Sequence, residues 1–138
     1  MISIRRIVPK GLGAQFKAAP EAVEKGMREA AEAIQADMEK TTAGWKHEVT
    51  FSIDKSGDGY TIGTDDKIWT YQDEGTRPHV ILPRRARVLR FEVGGDLVFA
   101  RRVNHPGTKA RLFTKQLQKS WQRGVVPFIR QALEEHFK

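Results

Sequence analysis

The chain of 138 residues contains no cysteine. That absence excludes disulfide bonds, thiol catalysis and zinc sites built on thiolates. No run of about 18 apolar residues occurs, and the N-terminal residues lack the apolar core and cleavage site of a secretory signal. We therefore expect a soluble intracellular protein, and the length suits a single domain over residues 1–138.

Recognisable catalytic motifs are also missing. The sequence has no glycine-rich phosphate loop, no Gly-x-Ser-x-Gly elbow and no His-Glu-x-x-His pair. The paired acids Asp65-Asp66 and Asp73-Glu74 are of the kind that glycosidases and nucleases use, but a turn and a strand-end loop explain them as well. We predict that the protein is not an enzyme and needs no cofactor.

Two histidines, His79 and His105, are the strongest candidates for chemistry. Together with Asp73 or Glu74 they would form a metal site or an acid–base pair. The alternative is that each histidine braces a proline-containing loop by hydrogen bonding to its backbone. Neither has a second ligand at the i,i+4 spacing of a helical motif, which favours the alternative.

Positive charge is in excess and is unevenly distributed. The chain has 24 Lys and Arg against 17 Asp and Glu, a net charge of +7, and the segment 77–111 accounts for all of that excess. Its basic residues are Arg77, Arg84, Arg85, Arg87, Arg90, Arg101, Arg102, Lys109 and Arg111. Such a patch attracts a polyanion or an acidic protein surface, although a solvated face accounts for it equally well. Because no aromatic side chains are set out for base stacking, we expect contacts with the nucleic-acid backbone or with acidic protein rather than sequence reading.

Hydrophobic periodicity predicts helices at both ends of the chain. Pro20 opens a helix that ends between Thr41 and Gly44, with an apolar stripe at three- and four-residue spacing. The stripe comprises Val23, Met27, Ala30, Ala31, Ile34 and Met38. The same spacing returns over 113–137, where Pro127 predicts a kink or break near 124–127.

Between the helices the period changes to two, which is typical of strands. Alternating residues flank the turn 55–59, and a second pair of strands, 87–93 and 96–103, flanks Gly94-Gly95, with Phe91 assigned to the core. We predict an α+β fold, in which an antiparallel sheet of two β-hairpins packs against the long N-terminal helix and the C-terminal helix. Residues 2–8 form either a short edge strand or part of an arm, and we expect residues 1–17 as a whole to be a flexible N-terminal arm.

Two loops and the strands between them carry a resemblance to a known family. The segment 71–81 reads Tyr-Gln-Asp-Glu-Gly-Thr-Arg-Pro-His-Val-Ile, and 103–108 reads Val-Asn-His-Pro-Gly-Thr. With Leu89-Arg90-Phe91 and the Gly94-Gly95 turn between them, they resemble the tailed-phage neck or tail-completion family, typified by the tenth gene product of phage HK-ninety-seven. The resemblance covers residues 20–133, and its loop residues are Gly75, Thr76, Pro78, His79, His105, Pro106 and Gly107.

This resemblance implies a structural virion protein. Members form a homo-oligomeric ring at the head–tail junction, joining the connector or head-closure protein to the tail-terminator or tail-tube proteins, with a channel for DNA. It implies a place in the virion neck, and in the host cytoplasm during assembly, and it implies no catalytic residue, cofactor, metal or membrane partner. The basic residues would then line the lumen or dock a neighbouring ring. The sequence departs from the family at 111–116, which lacks two prolines that often follow the second loop.

Two alternatives remain open at the level of sequence. One is a stand-alone basic module that binds nucleic acid. A monomer whose affinity for duplex falls steeply with salt concentration would support it. The other is a small hydrolase or ribonuclease that uses His79 and His105.

Overall fold

The computed structural model describes all 138 residues and is α+β, as predicted. In chain order its elements are β1 (Ile2–Ile4), α1 (Gly13–Ala18), α2 (Pro20–Thr42), β2 (Ser52–Ser56), β3 (Gly59–Gly63), α3 (Lys67–Glu74), β4 (His79–Ile81), β5 (Leu89–Val93), β6 (Asp96–Ala100), β7 (Val103–His105), α4 (Phe113–Ser120) and α5 (Val125–His136). None of these helices is long and apolar enough to span a membrane.

Contacts between residues group the chain into two compact units. The first unit comprises Met1–Trp69 and Leu112–Lys138, and the second unit comprises Thr70–Arg111. The prediction of a single domain over residues 1–138 stays a prediction.

Helix α2 is the centre of the first unit. It begins at Pro20, whose missing N–H is no loss in a first turn, and its predicted apolar stripe is buried along its whole length. Helix α5 packs along it, and an added Cβ on Gly26 would lie 2.8 Å from the backbone of α5 at Ile129. The N-terminal helix and its stripe are confirmed.

A three-stranded antiparallel sheet with the order β1-β3-β2 completes the first unit. The predicted hairpin of β2 and β3 is confirmed, and Gly57 in its turn has a φ of 59°. At the N-terminus the structure has the edge strand rather than the arm, because Ile2 and Ile4 are buried and pair with β3. The rest of residues 1–17 includes most of α1.

The two predicted hairpins lie in different sheets, which corrects the single sheet expected from the sequence. Strand β3 has β1 on one side and β2 on the other, so it has no free edge for a further strand. The second unit holds two separate two-stranded sheets, β4–β7 and β5–β6.

Helix α3 was not expected from the sequence. The interpretation of Asp73-Glu74 as a strand-end loop is wrong, because both residues lie in the last turn of this helix. The missed signal is the N-cap: Asp66 Oδ1 accepts the backbone N–H of Trp69 at 3.0 Å. The other carboxylate oxygen of Asp66 lies 2.7 Å from His47 Nε2, and this hydrogen bond lowers the pKa of Asp66.

The C-terminal helix is broken, as predicted. Helix α4 ends at Ser120 and α5 begins at Val125, so Pro127 falls within the first turn of α5. In that turn a backbone N–H has no partner inside the helix, and proline therefore costs nothing there.

Glu24 on α2 joins the helix to the sheet of the first unit. The hydroxyl of Tyr60, a buried residue of β3, donates to Glu24 Oε1, and Lys55 Nζ lies 3.3 Å from the same oxygen. The hydrogen bond from Tyr60 and the charge of Lys55 lower the pKa of Glu24, although partial burial opposes them. Since the charged form is the one that is stabilised, this contact strengthens the fold only while Glu24 is ionised.

We expect Glu24→Gln to lower the free energy of unfolding by about 1.5–3 kcal/mol at pH 7, the usual contribution of a hydrogen bond to a charged group. The folded pKa lies below the ordinary value of 4.5, so the difference from the parent protein should persist above that pH and shrink as the pH falls through the folded value. Urea unfolding at pH 7 and at pH 3, followed by tryptophan fluorescence, measures it. An equal difference at both pH values would contradict the assignment.

Candidate interaction surface

The two loops that carry the family resemblance come together in the second unit. Strand β4 pairs with β7, so that His79 lies opposite His105. Beyond this ribbon Thr76 and Thr108 form an antiparallel bridge, with N–H to carbonyl distances of 2.9 and 3.2 Å, and Thr76 Oγ1 also accepts the N–H of Thr108. Two stretches that are about thirty residues apart in sequence therefore form one structural element.

Two glycines permit this close approach. Gly75 has a φ of 77° and Gly107 a φ of 89°, in the left-handed region that side chains avoid. A Cβ on Gly75 would lie 2.6 Å from the carbonyl oxygen of Thr108, and one on Gly107 would lie 2.4 Å from that of Thr76. Each glycine thus gives room for the backbone of the opposite loop, which explains why both loops contain one.

The two histidines stack on each other and hold their own loops. Their ring centroids are 4.8 Å apart with an interplanar angle of 28°. His105 Nδ1 accepts the N–H of Gly107 at 3.0 Å, so this ring in its neutral form carries its proton on Nε2. His79 Nδ1 lies 2.8 Å from the carbonyl oxygen of Arg77 and must donate to it. The hypothesis that each histidine braces its proline-containing loop is confirmed.

These hydrogen bonds leave each histidine only one ring nitrogen for a metal ion or for proton transfer. The Nδ1 atom of each ring is engaged with backbone, and only the Nε2 atoms remain for other partners. The metal hypothesis also needs Asp73 or Glu74, and no group of three or more His, Asp or Glu side chains anywhere in the chain is placed to hold a metal ion. Asp73 is itself a buried residue of α3.

All nine basic residues of the segment 77–111 are exposed. Apart from Arg111, which has a contact partner, none of them forms an ion pair. Their positions differ in part from expectation: Arg101 and Arg102 lie in the connection between β6 and β7 rather than in a strand, so strand alternation does not set their directions. Arg84, Arg85 and Arg87 lie in the irregular segment that leads to β5. The second unit therefore presents uncompensated positive charge to solvent.

The second unit has no buried apolar side chain. Phe91, which the sequence assigned to the core, is only half-buried, because no helix of this unit covers the β5–β6 hairpin. Seven large apolar or aromatic side chains of the unit are exposed, and Phe99 and Leu82 reach 62% and 61%. The seven are Tyr71, Val80, Leu82, Val88, Val93, Leu97 and Phe99. A hairpin without a covered apolar face is marginally stable in water, so these residues are suited to contact with another molecule.

Sequence reasoning missed this apolar component. It identified the charges and the loops, and it assigned Phe91 of β5 to a core. The available signal was the run Leu97-Val98-Phe99, since consecutive apolar residues in a strand must point to both faces of a sheet. In this two-stranded sheet neither face is buried, and Leu97 and Phe99 are left exposed.

Comparison of the chain with protein-family models, with curated proteins and with solved structures finds no match.

Proposed function

We propose that this protein is a structural component of a tailed-phage virion, a homo-oligomeric neck or tail-completion ring between the head connector and the tail. The observation that carries the proposal is the composition of the second unit: the loops that resemble the family, uncompensated arginines and exposed apolar strands lie together, without a buried core. Small units of about 40 residues usually need a further partner to be stable, and neighbouring subunits supply one in an oligomer. No residue of the chain has a catalytic role in this proposal.

The charge distribution fits a surface that meets DNA without reading it. The segment 77–111 has nine basic residues against Glu92 and Asp96. Duplex DNA carries one negative charge per about 1.7 Å, so scattered arginines attract it at any sequence. The same residues suit an acidic neighbouring ring, with which charge complementarity would set the docking position.

The test is the mass and shape of the purified protein, alone and with the connector and tail-tube proteins. We expect a closed oligomer with a central opening in light scattering over a concentration series and in electron micrographs. A protein that stays monomeric both alone and with those partners would contradict the proposal.

The second candidate function is a stand-alone nucleic-acid-binding module, and eight exposed arginine and lysine side chains without ion pairs favour it. In that case a monomer binds duplex DNA, and the logarithm of its affinity falls with the logarithm of salt by about 0.9 for each phosphate contacted. Binding that is independent of salt would exclude it.

We expect the double substitution Arg84→Glu with Arg85→Glu to leave the fold intact, because both side chains are exposed and unpaired. It should lower the infectivity of particles by about tenfold or more, since like charges facing a partner cost several kcal/mol. Complementation of a phage that lacks this gene measures the effect. Arg5→Glu with Arg6→Glu, an equal charge change at exposed positions of the first unit, is the matched control. Full infectivity of the first variant would refute the role of the basic segment.

A further inference from the structure

Strand β5 has one edge without a partner. It pairs only with β6, in the register that sets Val93 opposite Asp96 and Phe91 opposite Val98. Because two residues close this hairpin, the pair that flanks the turn is hydrogen-bonded, and hydrogen-bonded pairs then recur at every second residue. The backbone groups of Arg90 and Glu92 therefore point to the free edge.

The sequence of β5 is self-complementary in its chemistry. It reads Leu-Arg-Phe-Glu-Val, which is apolar, cationic, aromatic, anionic and apolar around the central Phe91. Such a strand matches an antiparallel copy of itself. We propose that β5 of a second copy of this chain pairs with β5 along the free edge, with Phe91 on the two-fold axis.

The charges select this register among those that the backbone allows. Arg90 and Glu92 must occupy the hydrogen-bonded pairs across the new edge. Pairing centred on position 90 sets two arginines opposite each other, and pairing centred on position 92 sets two glutamates opposite each other. Centring on Phe91 sets Arg90 opposite Glu92 of the second copy, twice, and opposite charges in such pairs are stabilising.

The other face of the paired strands is apolar in the same register. Leu89 then lies opposite Val93 of the second copy, and the two Phe91 rings meet in the closely spaced pair on the axis. Val93 is 57% exposed and Phe91 half-exposed in the single chain. The pairing therefore covers side chains that the second unit leaves in contact with water.

A second copy suits this edge better than a polyanion does. The patch around it is basic, but the edge itself carries one positive and one negative side chain and is neutral. A nucleic acid that approached along β5 would meet the carboxylate of Glu92. A second β5 strand satisfies both charges.

The contact is small and independent of the proposed ring. Five residues of edge pairing bury less than the roughly 1,200–2,000 Å² of a standard interface, so the dimer should be weak and concentration-dependent. A two-fold contact also sets the two copies in opposite directions, whereas the subunits of a ring around one axis all point the same way. The inference therefore does not rest on the proposed function.

Charge exchange provides the first test, by sedimentation equilibrium of the full chain. We expect Arg90→Glu alone and Glu92→Arg alone to raise the dimer dissociation constant about tenfold or more. The double variant carrying both changes should return to within about threefold of the parent, because its pairs are again opposite in charge. An equimolar mixture of the two single variants should form a mixed dimer. Arg87→Glu, an exposed arginine outside β5, is the matched control and should have no effect.

Crosslinking provides a second test that does not depend on charge. Because the chain has no cysteine, Phe91→Cys introduces its only thiol. Facing residues of a non-hydrogen-bonded antiparallel pair have Cα atoms about 4.5 Å apart, within the range of a disulfide. Mild oxidation should give a covalent dimer at least about tenfold faster than for Leu97→Cys, which lies at an exposed position of β6.

The outcomes separate this inference from the ring. Single variants that associate like the parent, or a double variant no stronger than either single one, would overturn the β5 pairing. A ring that persists in both single variants while crosslinking at position 91 is no faster than at position 97 would overturn the pairing and support the proposed function. Loss of the dimer on charge reversal with rescue by mixing supports the pairing whether or not a ring forms.

Discussion

Gly26→Ala should lower the free energy of unfolding of the first unit by about 3 kcal/mol. Gly26 lies on α2 where α5 crosses, and a Cβ there would lie 2.8 Å from both Ile129 Cα and the carbonyl oxygen of Phe128. Those atoms are backbone, so no rotamer change makes room, and the two helices must separate. Overpacking of this kind costs about 1–3 kcal/mol, and more where neighbouring core contacts are lost as well.

The measurement is urea unfolding followed by tryptophan fluorescence, which reports on the first unit because all three tryptophans, Trp45, Trp69 and Trp121, belong to it. Gly13→Ala is the matched control: that glycine is also helical, but nothing lies within 4 Å of an added Cβ. The control should be neutral or slightly stabilising, since alanine favours a helix more than glycine does. Equal effects of the two substitutions would show that α2 and α5 do not approach closely at Gly26.

Gly107→Ala should open the joined loops of the second unit. The substitution combines a φ of 89°, which costs an alanine about 1–2 kcal/mol, with a Cβ placed 2.4 Å from the carbonyl oxygen of Thr76. Together with the steric cost we expect about 3 kcal/mol, enough to break the bridge between Thr76 and Thr108. The result should be faster hydrogen exchange at the backbone amides of both threonines, which NMR resolves.

Gly95→Ala separates the conformational cost of a positive φ from the steric cost of an added Cβ. Gly95 has nearly the same φ, 88°, but nothing lies within 4 Å of an added Cβ. This control should weaken the β5–β6 turn by the conformational cost alone and leave the exchange of Thr76 and Thr108 unchanged. If Gly107→Ala also left that exchange unchanged, the two loops would not be packed as the structure has them.

Periodicity was sufficient where a segment buries one regular face. Helices α2 and α5 were predicted because their apolar residues recur at the period of the helix that buries them. Both hairpins were predicted from alternation on either side of a glycine-containing turn. Helix α3 was missed because its start depends on a side-chain cap from Asp66, and its eight residues show no clear stripe. The spacing of apolar residues carries no information on whether a side chain caps the start of a helix.

The candidate site was only partly predictable, since its key feature is a spatial relation. The sequence named both loops, but their pairing depends on room left by Gly75 and Gly107 and on a long-range bridge that no local pattern encodes. Alternation identified β5 and β6 as strands, yet it carried no information on whether anything covers them. That is why Phe91 was wrongly placed in a core.

The second unit interrupts the first in the chain, and its two ends run side by side: the N–H of Arg111 donates to the carbonyl oxygen of Gln72 at 2.9 Å. Its geometry is therefore that of an insertion, entering and leaving through adjacent connections. Segments with neighbouring ends tolerate replacement and changes of length, because the entropic cost of closing a loop rises only slowly with its length. The second unit can thus change in length and sequence without altering the core of the first unit, which comes from the two flanking segments.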